Sequence, residues 1–79
     1  MKRTLDELRK DALTLITDIE FEYKGKRGVL CPYRRDKFVL AYTADDPGTE
    51  FNDLDKLLNA PYFGGKSMAQ VCGDMEFLT

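Results

Sequence analysis

Residues 19–43, IEFEYKGKRGVLCPYRRDKFVLAYT, read as three short antiparallel strands joined by two tight turns. Ile19, Phe21 and Tyr23 alternate with Glu20, Glu22 and Lys24, the period-two pattern of a strand with one face buried and one in water. Lys24, Gly25, Lys26, Arg27 and Gly28 supply a hairpin turn in which glycine accepts positive φ without steric cost. Two further β-branched and aromatic runs, residues 29–33 and 38–43, flank the polar Arg34-Arg35-Asp36-Lys37. Two hairpins in series make a meander.

Two-residue turns at Gly25-Lys26 and Arg35-Asp36 place Phe21 opposite Leu30 and Leu30 opposite Ala41. That register puts Ile19, Phe21, Tyr23, Leu30, Val39 and Ala41 on one face. Glu20, Glu22, Val29, Cys31, Tyr33, Phe38, Leu40 and Tyr42 fall on the other. Both faces are then apolar on the second and third strands, and one helix layer covers only one of them. The second face, through Val29, Tyr33, Phe38, Leu40 and Tyr42, is therefore expected to be completed by a second copy or a partner protein.

Around this meander the chain is predicted to be α+β, a single domain over residues 1–79. Thr4-Leu5-Asp6-Glu7 fits a capping box, so a helix starts there. Its apolar stripe is Leu5, Leu8, Ala12, Leu15 and Ile16, and it is expected to give way near Thr17-Asp18. Residues 44–50 read as a loop around Pro47-Gly48. Asn52 caps a short helix that buries Leu54, Leu57 and Leu58 and stops at Ala60-Pro61. Ser67-Met68-Ala69-Gln70 is a second capping box, opening a short helix with Met68, Val71 and Cys72 inward and Gly73 as its C-terminal cap. Residues 75–78 alternate weakly and form a fourth, edge strand if they join the sheet.

Composition narrows the function classes. At 79 residues, a domain buries roughly 60% of the surface of its unfolded chain, which leaves a small core. With 43% hydrophobic residues and 11% aromatics, disorder is not expected. No apolar run approaches the roughly 18 residues needed to span a bilayer, and the acidic start of the chain is unlike a signal peptide. A soluble cytoplasmic protein is the expectation. Histidine is absent and Cys31 and Cys72 form no CxxC pair, which disfavours zinc and histidine-dependent catalysis and predicts two reduced thiols.

Charge is uneven. Residues 24–37 hold six basic side chains against one acid, a net +5 within a chain whose total is −2. Lys26, Arg27, Arg34, Arg35 and Lys37, with aromatics nearby, outline an alternative as a small nucleic-acid-binding accessory protein. A sequence pI of about 5.0 argues against it. Gly65-Lys66-Ser67 resembles the end of a phosphate-binding loop, yet Ala60 stands where that motif needs its first glycine, leaving at most a weak anion site at Lys66 and Ser67. The carboxylates Asp45, Asp46, Asp53 and Asp55 do not follow a calcium-loop spacing. The leading expectation is thus a non-enzymatic interaction module without cofactor or metal.

Overall fold

The computed structural model describes residues 1–14 and 18–78. Helix α1 (Leu5–Leu13) opens with the expected capping box: the Glu7 amide donates to Thr4 Oγ1 at 3.2 Å, and the Thr4 amide donates to Glu7 Oε1 at 2.8 Å. Leu8 and Ala12 are its fully buried residues. The stripe positions Leu15 and Ile16 and the helix end expected at Thr17 lie outside the described residues.

The meander is β1 (Ile19–Tyr23), β2 (Lys26–Arg34) and β3 (Lys37–Tyr42). Two further strands extend it, β4 (Thr49–Phe51) beside β3 and β5 (Glu76–Phe77) beside β1, giving an all-antiparallel sheet in the order β4-β3-β2-β1-β5. The C-terminal strand therefore joins the sheet. Its outer side is covered by the chain start, where the Phe77 amide donates to the Met1 carbonyl at 2.7 Å. Residues 49–51, read from sequence as the end of a loop and a helix lead-in, are a strand instead. Three residues are too few for a periodic pattern, and pairing with β3 decides their conformation.

The register differs from the expected one at both hairpins. Tyr23 pairs with Lys26, so the first turn is Lys24-Gly25, with φ of +52° and +76°. Two left-handed residues make the type I′ turn, whose twist matches that of the strands. Phe21 consequently faces Gly28, not Leu30. In the second hairpin Arg34 pairs with Lys37, as a turn at Arg35-Asp36 requires, but a β-bulge between Pro32 and Arg34 sets the rest of the strand off by one. Leu30 pairs with Leu40, not Ala41. Pro32, which has no amide proton to give a ladder, lies where β2 has run past the start of β1.

A one-residue shift exchanges the faces of β3. Phe38 and Leu40 join Ile19, Phe21, Tyr23 and Leu30 in the core, while Val39 and Ala41 turn outward with Val29 and Cys31. All helices pack on the Phe21 face. Helix α2 (Leu54–Asn59) contributes Leu54, Leu57 and Leu58; its N-cap is Asp53, not the expected Asn52, with Oδ1 accepting from the Asp55 and Lys56 amides. Helix α3 (Met68–Val71) opens with the second capping box, Ser67 with Gln70. It brings in Met68 and Val71 and runs on into a 3₁₀ turn, Cys72–Asp74, so Gly73 lies inside that turn and is not a left-handed cap. Phe21, Tyr23, Tyr42 and Phe63 form a ring cluster, with centroids 4.8–6.3 Å apart, at the centre of the core.

Candidate functional site on the open sheet face

With every helix on one side, the opposite face of the sheet carries no described element. At its centre Val29 pairs with Ala41 and Cys31 with Val39, all four half-buried. Glu20 and Glu22 project beside them from β1, and Glu76, opposite Glu22, from β5. Glu50 faces Val39 from β4. Asp18, just before β1, accepts a hydrogen bond from the Cys31 thiol. Arg27, Lys37 and Tyr33 complete the rim; Tyr33 is 58% exposed, and the Lys37 ammonium lies 5.4 Å from its ring centroid. Five carboxylates surround an apolar centre, against Arg27, Lys37 and the N-terminal ammonium that contacts Glu76, a net −2. Leu78, 43% exposed, extends the apolar surface on the β5 side, its amide bonded to the Glu20 carbonyl.

The five residues grouped from sequence as a partner-binding face do not share one. Val29 and Tyr33 are on the open face; Phe38 and Leu40 are fully buried beneath the helices, and Tyr42 sits among the core rings with its hydroxyl donating to the Tyr23 carbonyl at 2.6 Å. Cys31 lies on the open face as the expected register has it; Val39 and Ala41, which join it there, fall on the other face in that register because the bulge at Tyr33 leaves no mark in the hydrophobic pattern.

The basic residues separate as well. Lys26 and Arg27 stand at one end of β2; Arg34, Arg35 and Lys37 stand about 26 Å away at the other, by the rise of a nine-residue strand. At that far end Arg34 Nε contacts Asp36 Oδ1 at 3.1 Å and Lys37 Nζ lies 3.9 Å from Glu50. Lys66 is exposed, but Ser67 is buried and its amide and hydroxyl are both engaged in the cap of a single-turn helix. Burial, reinforced by Asp18, raises the Cys31 thiol to about 11, so it is protonated at neutral pH; burial also raises Cys72. Both cysteines are free thiols, Cys31 on the open face and Cys72 in the core. Of the aspartates, Asp53 is a cap and Asp55 pairs with Arg9. Among the described residues, no three His, Cys, Asp or Glu side chains gather as a metal-ligand set. No described helix is long and apolar enough to cross a membrane.

Asp46 has a structural task. Its Oδ2 accepts from the Tyr62 hydroxyl at 2.6 Å and the Tyr42 amide at 2.8 Å, and its Oδ1 accepts from the Gly48 amide at 2.8 Å. The Tyr62 oxygen also lies 3.0 Å from the Thr49 hydroxyl and 2.9 Å from the Leu40 carbonyl. This clasp ties the loop between β3 and β4 to the aromatic loop after α2. The Tyr62 hydroxyl, then the two amides, hold the Asp46 carboxyl below its ordinary 3.8. A depressed folded-state value means a contribution fully present above pH 3.8 and lost as pH falls through the folded value. Asp46→Ala is expected to destabilise the protein by about 1–3 kcal/mol at pH 7 in urea denaturation, and to remove part of the acid-induced loss below pH 3.8. An unchanged acid limb in the variant would place the Asp46 charge outside the folding balance.

No protein-family model, curated protein sequence or solved structure matches the chain.

Proposed function

We propose that the chain is a protein-interaction module whose open sheet face receives a cationic, partly apolar segment of a partner protein. The supporting observation is the one-sided packing: an apolar centre of Val29, Cys31, Val39 and Ala41 ringed by Asp18, Glu20, Glu22, Glu50 and Glu76. Apolar contact supplies affinity, and the acidic rim selects the sign of the partner and speeds its encounter. Face-to-face self-association is the weaker form, because two copies bring two net-negative rims together. Nucleic acid fits less well, since a phosphate chain bridging the two basic ends would cross the carboxylates between them.

Titration of ¹⁵N-labelled protein with a Leu/Lys amphipathic peptide is expected to give saturable amide shifts centred on residues 29–31 and 39–41. Its Leu/Glu counterpart is expected to give none. Val39→Lys abolishes the footprint while circular dichroism stays native. Equal binding of both peptides, no footprint at millimolar peptide, or shifts confined to α1 and α2 would reject the proposal. Sedimentation velocity is expected to show monomers; a concentration-dependent dimer abolished by Val39→Lys would favour self-association instead.

A further inference from the structure

At the sheet end carrying the first hairpin turn, a recess of about 570 Å³ opens between two segments that are distant in sequence. Gly25, Lys26 and Arg27 form one wall; Thr43, Ala44 and Asp45 form the other. A volume of this order suits a small molecule, since ligand sites commonly measure roughly 300–1,000 Å³.

Among the described residues, the cations of this recess are not held in ion pairs, as several others in the chain are. Arg3, Arg9, Arg34 and Lys37 each face a carboxylate. Lys26 and Arg27 make no ion pair with any described residue, although Glu22 stands opposite Arg27 in the register. Lys24, at the lip, holds its ammonium 5.6 Å from the Tyr23 ring centroid. Lys26 and Arg27 leave opposite faces of β2, so at the strand end their charges can flank a doubly charged oxyanion from its two sides.

The opposite wall is held in a costly shape. Thr43 has φ of +81°, a left-handed conformation that β-branched residues avoid. Its amide donates to the Arg27 carbonyl at 2.8 Å and its carbonyl accepts from the Asp46 amide at 3.3 Å, so backbone bonds on both sides enforce the conformation. The first of these bonds also stitches the two walls together. Residues kept in such conformations concentrate at binding sites, where the surrounding structure sustains the strain. The Asp46 clasp fixes the far end of the same wall, which leaves the recess ordered in advance of any ligand.

Asp45 sets a further condition. A carboxylate in the recess repels a bare anion, so the complementary ligand carries a hydrogen-bond donor as well as negative charge. We propose that the recess binds a small phosphomonoester bearing a hydroxyl or amino group, its phosphate on Lys26 and Arg27 and its donor on Asp45. This site shares Arg27 with the rim of the open face but needs none of that face's apolar residues or carboxylates.

The test is an amide-shift titration of the intact chain with glycerol phosphate, inorganic phosphate and sodium chloride at matched ionic strength. Glycerol phosphate is expected to give saturable shifts confined to residues 24–27 and 43–46, roughly threefold tighter than inorganic phosphate. Lys26→Gln/Arg27→Gln is expected to weaken both phosphates by about tenfold. Asp45→Ala, which removes the acceptor together with the charge, is expected to abolish the preference between them while tightening inorganic phosphate. Both variants are exposed changes and are to be checked by circular dichroism. The proposal is overturned by shifts that track chloride, by binding that survives the double variant, by a footprint at Arg34 and Arg35, or by no saturable shift with either phosphate up to about 20 mM. A preference that persists in Asp45→Ala overturns the assignment of the donor contact.

Discussion

Phe38→Lys is expected to unfold the protein, whereas Val39→Lys leaves it folded with a stability change within about 1 kcal/mol. The two residues are neighbours with the same strand neighbours and similar hydrophobicity, so only the face they occupy separates them. Phe38 is fully buried, between the sheet and the helices, and pairs across to Pro32 and Phe51. A lysine there must either bury an ammonium without a partner or surrender its proton, and it also forfeits the packing of a ring, which alone is worth about 3–5 kcal/mol. Small domains hold only about 5–15 kcal/mol in total. Val39 projects from the other face beside Glu50, where a lysine stays in water next to a carboxylate. Near-ultraviolet circular dichroism and urea denaturation of the two proteins decide the matter. Two folded variants, or the reverse order, would remove the bulge at Tyr33 and with it the face assignment of β3.

Gly28→Ala is expected to cost at least about 3 kcal/mol, at the upper end of what overpacking by one methyl usually produces. A Cβ at this position would stand 2.5 Å from Cζ of Phe21 and 2.6 Å from the carbonyl oxygen of Ala41. The first of these atoms belongs to a fully buried ring packed against Tyr42, Phe63 and Phe77, with centroids 5.9–6.3 Å away. The second is backbone in the middle of the sheet. Neither can withdraw cheaply. Combining Gly28→Ala with Phe21→Leu is expected to recover part of the loss, so that the double variant is more stable than the sum of the singles predicts. Gly73→Ala, where the added carbon meets open space, serves as the control and is expected to lie within about 0.5 kcal/mol of the parent. A cost below about 1 kcal/mol for Gly28→Ala would mean that Phe21 does not lie over Gly28 and that the first hairpin has another register.

Local chemistry made much of this fold legible. Both capping boxes follow from Thr4 with Glu7 and Ser67 with Gln70, because a cap is settled within four residues. The three strands of the meander were legible from alternation and from the turn residues between them. What could not be read is the bulge. The pattern around Cys31-Pro32-Tyr33 is equally apolar on either side of the chain, so one extra residue exchanges the faces of β3 without disturbing any local preference. The candidate site inherited that ambiguity: Val29 and Tyr33 were placed on the open face, whereas Val39 and Ala41 were assigned to the core. The recess beside Arg27 was legible only by half. Its basic wall stands out as charge, but Thr43 and Asp45 reach it through the pairing of β2 with β3, which is tertiary information.

The two margins of the sheet are unequal. On the β5 side the Met1 backbone already occupies the Phe77 amide, while β4 is outermost on the other side, with its second row of backbone groups toward solvent. In the arithmetic of assembly this gives the sheet a valence of one. Among the described residues β4 is the one margin left open, so backbone pairing between copies through it would end at two chains and not lengthen into a filament.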